Sequence, residues 1–386
     1  MNLSYILNHL GEDRENYKQA VAPPIFQNSN FTFNTVSEMR ASLSNEKEIP
    51  FYTRGCNPTV KILRQKLAAL EGAEDCLVFA SGSAAIAAAI MSEVQQGDHV
   101  ICIEKPYSWT YKLLTLYLSK FGIKSTFIDG TAIENFEQAI QQNTKVIMLE
   151  SPNSMTFELQ DLEAVAQLAK QNGITTICDN SYNTGLLQSP IAMGIDISCH
   201  SGTKYYAGHS DLVAGVLVAD KLRVEKIFSS EFMTIGGIIS PHDAWLMLRS
   251  LRTLPVRLDK IADTTAKVVA FLSHHPKVKS IIYPFDKNFP QYDLAKKQMK
   301  KCGGLFSIQL ATDDVKQVEL FCDNLDYFIL ACSWGSYESL VFPAAALETS
   351  ANYSNNTLPI NHVRLYIGLE DPEVLIADLN KALDLI

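Results

Sequence analysis

The chain lacks a basic surface and a long apolar run, and each absence limits the partners that it can bind. Its 42 acidic residues outnumber the 33 Lys and Arg residues, which gives a formal net charge of −9 at pH 7. An acidic chain without a dense Lys/Arg block does not favour nucleic acid or an anionic membrane surface. The longest apolar stretch, residues 84–91, is far shorter than the roughly 20 residues that cross a bilayer. We therefore expect no nucleic-acid partner and no membrane association.

Cysteine and histidine are present, but without the spacings that disulfide frameworks or metal sites need. The eight cysteines are scattered without any Cys-x-x-Cys pair, and most lie within apolar runs. They are typical of small buried side chains in a reducing compartment. His99, His200 and His209 have no partner at ligand spacing, so no metal site is predicted. Residues 1–10 have neither a basic lead nor a long apolar core, and we expect a cytoplasmic protein.

The order of apolar runs and amphipathic segments predicts an α/β fold. Between about residues 60 and 220, helical patterns alternate with strand-like runs that are apolar throughout. Strands of that kind, separated by helices, indicate a mostly parallel sheet that is covered on both faces. After about residue 250 the pattern changes to strands of alternating polarity and amphipathic helices. We therefore predict an N-terminal extended arm, a large α/β domain and a smaller C-terminal α+β domain, spanning residues 1–56, 57–250 and 251–386.

The segment His200–Asp211 places one lysine, Lys204, among small and hydroxylated residues directly after an apolar strand-like run. An amine on such a tight turn, with hydroxyl donors beside it, suits a Schiff base with a phosphorylated cofactor. Asp179 ends another apolar run, 25 positions earlier. Pyridoxal phosphate requires both an amine for its aldehyde and an anion for its pyridinium nitrogen. Taken singly, Lys204 is equally consistent with an exposed lysine, and Asp179 with a buried structural carboxylate.

Two features of the chain before this pair fit the same cofactor. Ser81-Gly82-Ser83 lies between an apolar strand and an alanine-rich helix. Free N–H groups at a helix start bind anions, and glycine lets a phosphate come close. A plain N-terminal helix cap explains the same three residues. Tyr107 follows the next strand, where it can stack on a cofactor ring or serve as an ordinary surface or core tyrosine.

Ordered motifs along nearly the whole chain resemble the Cys/Met-metabolism family of pyridoxal-phosphate enzymes. The motifs are Tyr52-Thr53-Arg54-Gly55-Cys56-Asn57-Pro58-Thr59, Glu150-Ser151-Pro152, Ser201-x-Thr203-Lys204-Tyr205, Gly208-His209-Ser210-Asp211, Arg252-Thr253-Leu254 with Arg257, Ser333-x-Gly335-x-x-Glu338-Ser339-Leu340, and Val363-Arg364-Leu365-x-Ile367-Gly368-Leu369-Glu370-Asp371. The resemblance implies the fold type I architecture of pyridoxal-phosphate transferases, with a mostly parallel sheet in the large domain.

The resemblance also implies a role for each predicted site residue. Lys204 would carry the cofactor and shuttle protons, Asp179 would pair with the ring nitrogen, and Tyr107 would stack on the ring. The phosphate would be bound by four small or hydroxylated residues, which are Gly82, Ser83, Ser201 and Thr203. Arg364 would bind the substrate α-carboxylate through its guanidinium fork, with help from Ser333.

A second subunit is part of the site that the resemblance implies. In this family a Tyr-x-Arg pair reaches the cofactor phosphate of the neighbouring subunit, and Tyr52 and Arg54 form such a pair here. A homodimer would then be the smallest unit with a complete site, and a tetramer is the usual assembly in the family.

Two departures from the common family pattern give the expected reaction. Ser151-Pro152-Asn153-Ser154-Met155 stands where many members read Ser-Pro-Thr-Asn-Pro, and Ser333-Trp334-Gly335-Ser336-Tyr337 where many read Ser-Leu-Gly-Gly. Both forms are similar to bacterial cystathionine β-lyases, with Trp334 either at the substrate or merely packed beside the site. We therefore expect β-elimination of the thioether L-cystathionine to homocysteine, pyruvate and ammonia. Either Lys204 or Tyr107 would protonate the leaving sulfur.

One alternative to this reaction remains open, and others are disfavoured. The γ-chemistry of cystathionine γ-synthase or γ-lyase needs a second deprotonation at Cβ, and no residue excludes it. Methionine γ-lyases often have a cysteine soon after the stacking tyrosine, whereas Ser108 and Trp109 follow Tyr107 here. A catalytically silent relative is disfavoured because the lysine, the aspartate and the arginine of the motifs are all present. No Gly-x-Gly-x-x-Gly follows the first strand, which argues against a dinucleotide site.

Overall fold

The computed structural model describes residues 1–348, 350 and 357–386. Its strands are β1 Asp75–Phe79, β2 His99–Ile103, β3 Lys124–Ile128, β4 Thr144–Glu150, β5 Thr175–Asp179, β6 Ile197–Ser201, β7 Gly215–Ala219, β8 Val278–Ile282, β9 Leu305–Leu310, β10 Ile329–Leu330, β11 Leu340–Pro343 and β12 His362–Tyr366. Its α-helices are α1 Leu3–Asn8, α2 Val36–Leu43, α3 Pro58–Glu71, α4 Gly82–Met91, α5 Ser108–Lys112, α6 Ile133–Ala139, α7 Leu162–Gln171, α8 Thr184–Leu187, α9 Lys221–Ile227, α10 Met233–Ile235, α11 Pro241–Leu251, α12 Leu254–Leu272, α13 Tyr292–Gln298, α14 Val315–Asp323 and α15 Pro372–Leu383.

The larger sheet has seven strands in the order β1-β7-β6-β5-β4-β2-β3. β7 runs antiparallel to both of its neighbours, and the other adjacent strands run parallel to one another. Strands β2, β4 and β5 are buried along most or all of their length, as expected of a sheet covered on both faces. The predicted α/β fold with a mostly parallel sheet is therefore confirmed, and the carboxyl ends of six strands meet at one edge.

The smaller sheet has five strands in the order β10-β11-β12-β9-β8. Its adjacent strands are antiparallel except for the pair β10 and β11. β12 lies in the middle and is fully buried. Its pairing with the two neighbouring strands places Arg364 opposite Ser307 of β9 and Phe342 of β11. The predicted division at residue 250 stays a prediction, because one apolar core runs from β1 and β7 through α12 to this sheet.

Residues 1–56 are only partly extended, because they contain α1 and α2. The fully buried Lys66 on α3 donates hydrogen bonds to Ile6 O at 3.0 Å and Leu7 O at 3.1 Å. These carbonyls lie at the end of α1, where a helix leaves its carbonyl groups without internal partners. Lys66 also pairs with the buried Glu12 at 3.3 Å. The first part of the predicted arm is thus attached to the large sheet's helical layer.

Candidate active site

Two carboxylates lie side by side where β4 and β5 end. Asp179, the last residue of β5, is in register with Glu150, the last residue of β4. Asp179 Oδ1 accepts hydrogen bonds from Ser181 N at 3.0 Å and from Ser181 Oγ at 2.6 Å. Burial raises the pKa of Asp179, and these two hydrogen bonds together with the nearby His200 and Lys204 side chains oppose that rise. Asp179 thus supplies a buried carboxyl group at the carboxyl edge of the sheet.

Glu150 links two loops at this edge. Its Oε2 accepts a hydrogen bond from Tyr107 N at 2.6 Å, and its Oε1 accepts one from Ser154 N at 3.1 Å. The residue is 6% exposed, and burial together with the negative charge of Asp179 raises the pKa of Glu150 to about 8. The sequence placed Glu150 within a motif but predicted no role for it. A glutamate at the end of an apolar strand is the signal that points to one.

Lys204 lies in the loop after β6, at the same carboxyl edge of the larger sheet. Its Nζ donates a hydrogen bond to Ser333 Oγ and lies 5.4 Å from the centroid of the Trp334 ring. The Ser333 backbone is in the left-handed region, with φ +78°, and Gly335 has φ +96°. A Cβ on Gly335 would lie 2.9 Å from Lys204 Cα, so the glycine permits the close packing of the two loops. Trp334 itself is 5% exposed and packs against Tyr205.

The surroundings of Lys204 favour its neutral form. Burial lowers the pKa of Lys204 to about 8, and the nearby Arg364 acts in the same direction. Cys332 and Asp179 favour the charged form and limit the shift. At neutral pH the amine therefore exists in both protonation states, which suits a group that accepts and returns protons.

The start of α4 packs directly against the end of β6. The Ser81 side chain caps the helix by accepting a hydrogen bond from Ala84 N at 3.1 Å. A Cβ on Gly82 would lie 2.9 Å from Ser201 Cα, and one on Gly215 would lie 1.9 Å from Ser81 O. The two glycines therefore allow the helix start to reach the strand ends, with the N–H groups of its first turn beside Ser201. The helix cap and the anion site, posed as alternatives from the sequence, are compatible here.

The other predicted phosphate ligands, Ser83, Ser201 and Thr203, have different surroundings. Ser83, on the first turn of α4, is exposed. Ser201 N donates to Ser181 Oγ at 2.6 Å, which ties the end of β6 to the Asp179 site. Thr203 Oγ1 accepts a hydrogen bond from Ala214 N at 3.0 Å and so holds its own loop against the segment that leads into β7. The Thr203 hydroxyl is thus engaged with backbone, which the sequence did not indicate.

Arg364 reaches the site from the smaller sheet. Its Nη1 contacts Ser154 O at 3.2 Å and Met155 Sδ at 3.3 Å, and its Nη2 contacts Ser333 O at 3.5 Å. Ser333 thus meets both predicted substrate-handling groups, through its hydroxyl at Lys204 and through its carbonyl at Arg364. Tyr107, the predicted ring-stacking residue, is 41% exposed at the start of α5.

Tyr52 and Arg54 lie next to each other on the surface of the chain. The Arg54 guanidinium lies 5.4 Å from the centroid of the Tyr52 ring, and both side chains are exposed. In the described part of the chain, no hydrogen bond or ring contact joins either residue to Lys204 or Asp179. The contacts described above connect two sets of predicted site residues and include neither Tyr52 nor Arg54. One set is Gly82, Ser201 and Asp179, and the other is Lys204, Ser333 and Arg364.

The site fits pyridoxal phosphate on three grounds. Gly82 lets the start of α4, whose first N–H groups can bind an anion, pack against Ser201. Asp179 supplies a buried carboxyl group, and Lys204 supplies an amine. In residues 1–348, 350 and 357–386, no three His, Cys, Asp or Glu side chains cluster as metal ligands. None of the helices described there has the length and apolar composition that a bilayer crossing requires. The cytoplasmic location stays a prediction.

Comparison with known proteins identifies relatives over the full length of the chain. Residues 5–384 match the family described as Cys/Met metabolism PLP-dependent enzyme. The chain is 36% identical to L-methionine gamma-lyase from Treponema denticola, over 97% of this chain and 95% of that protein. It is 35% identical to cystathionine gamma-lyase from Bacillus subtilis, over 100% of both chains. The crystal structure of metB from Corynebacterium glutamicum has a TM-score of 0.92 and 34% identity, over 100% of this chain and 98% of that one.

These relatives confirm the predicted family, the fold type I architecture and the cofactor. They do not single out the β-elimination that the two sequence departures predicted. Both enzymes are γ-lyases by name, so the γ-alternative has the better support.

Proposed function

The chain belongs to the Cys/Met-metabolism family of pyridoxal-phosphate-dependent enzymes, and we propose that it is a carbon–sulfur lyase of amino-acid thioethers that acts by γ-elimination. The observation that carries the proposal is the environment of Lys204. Its amine is buried beside Ser333 and Arg364 and has a pKa lowered to about 8. Such an amine can accept a proton from a substrate carbon and return it later in the same turnover.

Each of the main residues of the candidate site has a role in this proposal. When bound, pyridoxal phosphate supplies an electron sink for the charge released at the substrate Cα. Asp179 keeps the ring nitrogen protonated by its negative charge, and Lys204 moves the proton at Cα. Arg364 binds the α-carboxylate and so directs the Cα–H bond toward the amine. Ser333 orients the Lys204 amine through its hydroxyl.

γ-Elimination needs proton transfer at two adjacent carbons, Cα and then Cβ. A lysine amine on a flexible four-carbon stem can serve neighbouring carbons in turn. The full-length similarity to two enzymes named γ-lyases supports this reaction.

β-Elimination of cystathionine is the second candidate, and it rests on two local segments. Ser154-Met155 and Trp334 match the form similar to cystathionine β-lyases. Arg364 contacts Ser154 O, Met155 Sδ and Ser333 O, so these departures lie where the substrate carboxylate would bind.

Product analysis distinguishes the two candidates. Purified holoenzyme is given L-cystathionine, and the keto acid and the thiol are identified. 2-Oxobutyrate with cysteine supports γ-elimination, whereas pyruvate with homocysteine replaces it by β-elimination. L-Methionine is a second substrate, because only γ-elimination releases methanethiol from it. Lys204→Ala serves as the control, and absence of thiol release by the parent enzyme from both thioethers would refute the lyase assignment.

We further propose that a homodimer completes the site, with Tyr52 and Arg54 of each chain contributed to its partner. Support comes from the exposure of this pair and from the absence, in the described part of the chain, of a hydrogen bond or ring contact between the pair and Lys204. Arg54→Ala and Lys204→Ala chains are co-expressed with different tags, and the mixed dimer is purified through both tags. Because one of its two sites then has every wild-type residue, activity should return to roughly half of the parent value. A mixed dimer as inactive as the two single variants would contradict the shared site.

A further inference from the structure

A chain of hydrogen bonds runs through Glu150 and connects two groups that the proposed function assigns to different tasks. Tyr107 N donates to Glu150 Oε2 at 2.6 Å, and Ser154 N donates to Glu150 Oε1 at 3.1 Å. The carbonyl of Ser154 then accepts from Arg364 Nη1 at 3.2 Å. The Ser154 backbone thus contacts the buried Glu150 through its N–H and the predicted carboxylate-binding arginine through its carbonyl.

We propose that Glu150 is a positioning residue that fixes Tyr107 and Arg364 relative to each other, so that ring stacking and α-carboxylate binding are set by one buried side chain. The inference rests on the proposed function for the tasks of these two residues. In this role Glu150 touches neither the ring nor the substrate and acts through two backbone N–H groups.

The chemistry of the side chain supports this role. In its ionised form Glu150 has two equivalent acceptor oxygens, and here each oxygen serves a different loop, so the two N–H donors favour that form and oppose the rise of its pKa that burial causes. A glutamine has only one acceptor oxygen, so its NH₂ group would face one of the two N–H donors. Burial of Glu150 makes the loss of either hydrogen bond costly, because water does not replace the missing acceptor.

The smaller sheet holds the same segment from its other side. Ser307 Oγ donates to Met155 O at 3.1 Å, and Arg364 Nη1 contacts Met155 Sδ at 3.3 Å. β9 and β12 carry these two groups opposite each other. A shift of the Ser154-Met155 segment would therefore move the guanidinium of Arg364, while the strand that carries Arg364 stays in place.

The test compares the binding of glycine and methylamine to the holoenzyme of Glu150→Gln. The two ligands share the amine, and only glycine has the carboxylate that Arg364 would bind. Dissociation constants are measured from the change in the cofactor's visible absorbance. We expect glycine binding to weaken by about tenfold and methylamine binding by less than about twofold, with a rise in the cofactor dissociation constant from the loss at Tyr107. The exposed Glu104→Gln serves as the matched control.

Glu150→Asp is the second variant in case the glutamine variant does not fold. It keeps the charge but is shorter by one methylene, so it cannot reach both N–H groups, and the same selective loss of glycine binding is expected. Equal weakening of both ligands, or no change in glycine binding, would overturn the coupling. Neither ligand contains sulfur, so a failure of thioether cleavage would refute the proposed function without affecting this result.

Discussion

Replacing Gly82 by alanine tests whether the close packing of α4 and β6 forms the phosphate site. Helix propensity alone favours the change by about 1 kcal/mol, because alanine is the better helix former. The added Cβ, however, would lie 2.9 Å from Ser201 Cα, 3.1 Å from Ser201 Cβ and 3.3 Å from Ser201 N. Ordinary contacts begin near 3.4 Å, and two of the three opposing atoms belong to the backbone of a buried strand. The helix start must therefore move away from Ser201.

The size of the effect follows from the cost of overpacking. Forcing an extra methyl into a packed interior costs about 1–3 kcal/mol. If the displacement falls on the anion site, pyridoxal phosphate binds roughly 5- to 150-fold more weakly. The assay is the dissociation constant of the cofactor, measured by titrating the cofactor-free protein and following absorbance. Thermal unfolding of the cofactor-free protein reports the strain separately.

Gly237→Ala is the matched control for this variant. A Cβ on Gly237 would meet only Ala84 Cβ, at the ordinary distance of 3.7 Å. We expect this second variant to bind the cofactor within about twofold of the parent protein. If Gly82→Ala binds the cofactor as tightly as Gly237→Ala does, the packed helix start is not the phosphate site.

Three further predictions concern buried charges. Ser181→Ala removes a hydroxyl donor to Asp179, so the pKa of Asp179 should rise further and kcat should fall about tenfold. The measurement is the pH profile of kcat and of the cofactor absorbance, which should shift; an unchanged profile contradicts the prediction. Glu12→Gln leaves the buried Lys66 without its anion and should cost about 3–5 kcal/mol in urea unfolding; a loss below about 1 kcal/mol contradicts it. The pKa of Glu150 is raised to about 8 by folding, so its contribution to stability is full below about pH 4.5 and is lost as pH rises through 8. Glu150→Gln lacks this loss, and its stability relative to the parent, measured by urea unfolding of cofactor-free protein, should increase from pH 5 to pH 8; a constant difference contradicts it.

Several elements of the fold could be predicted from periodicity because their burial is unambiguous. The strand ending at Asp179 is apolar and buried, and the helix ending at Glu71 has a capping Asn57 and a terminal Gly72 with φ +71°. β3 was not predicted, because its edge position leaves every residue at least partly accessible and its sequence therefore mixed. The long helix α12 begins at Leu254, where a proline in its first turn suits a helix start.

Sequence reasoning could identify the residues of the candidate site more readily than their contacts. Lys204 and Asp179 were recognisable because Asp179 ends an apolar strand and Lys204 follows one, and parallel strands bring their carboxyl ends to one edge. Glu150 was part of a motif without a predicted role, since nothing local shows that its oxygens meet Tyr107 N and Ser154 N. The engagement of Thr203 with Ala214 was missed for the same reason.

The sequence by itself determined the family, the cofactor and the order of the chemical groups, because strand and helix patterns and the motifs between them are local. Only the tertiary structure decided how these groups meet. Arg364 and Ser154 are 210 positions apart, and their contact exists because the smaller sheet packs against the carboxyl edge of the larger one. The lowered pKa of Lys204 has the same origin, since burial and the approach of Arg364 both depend on that packing.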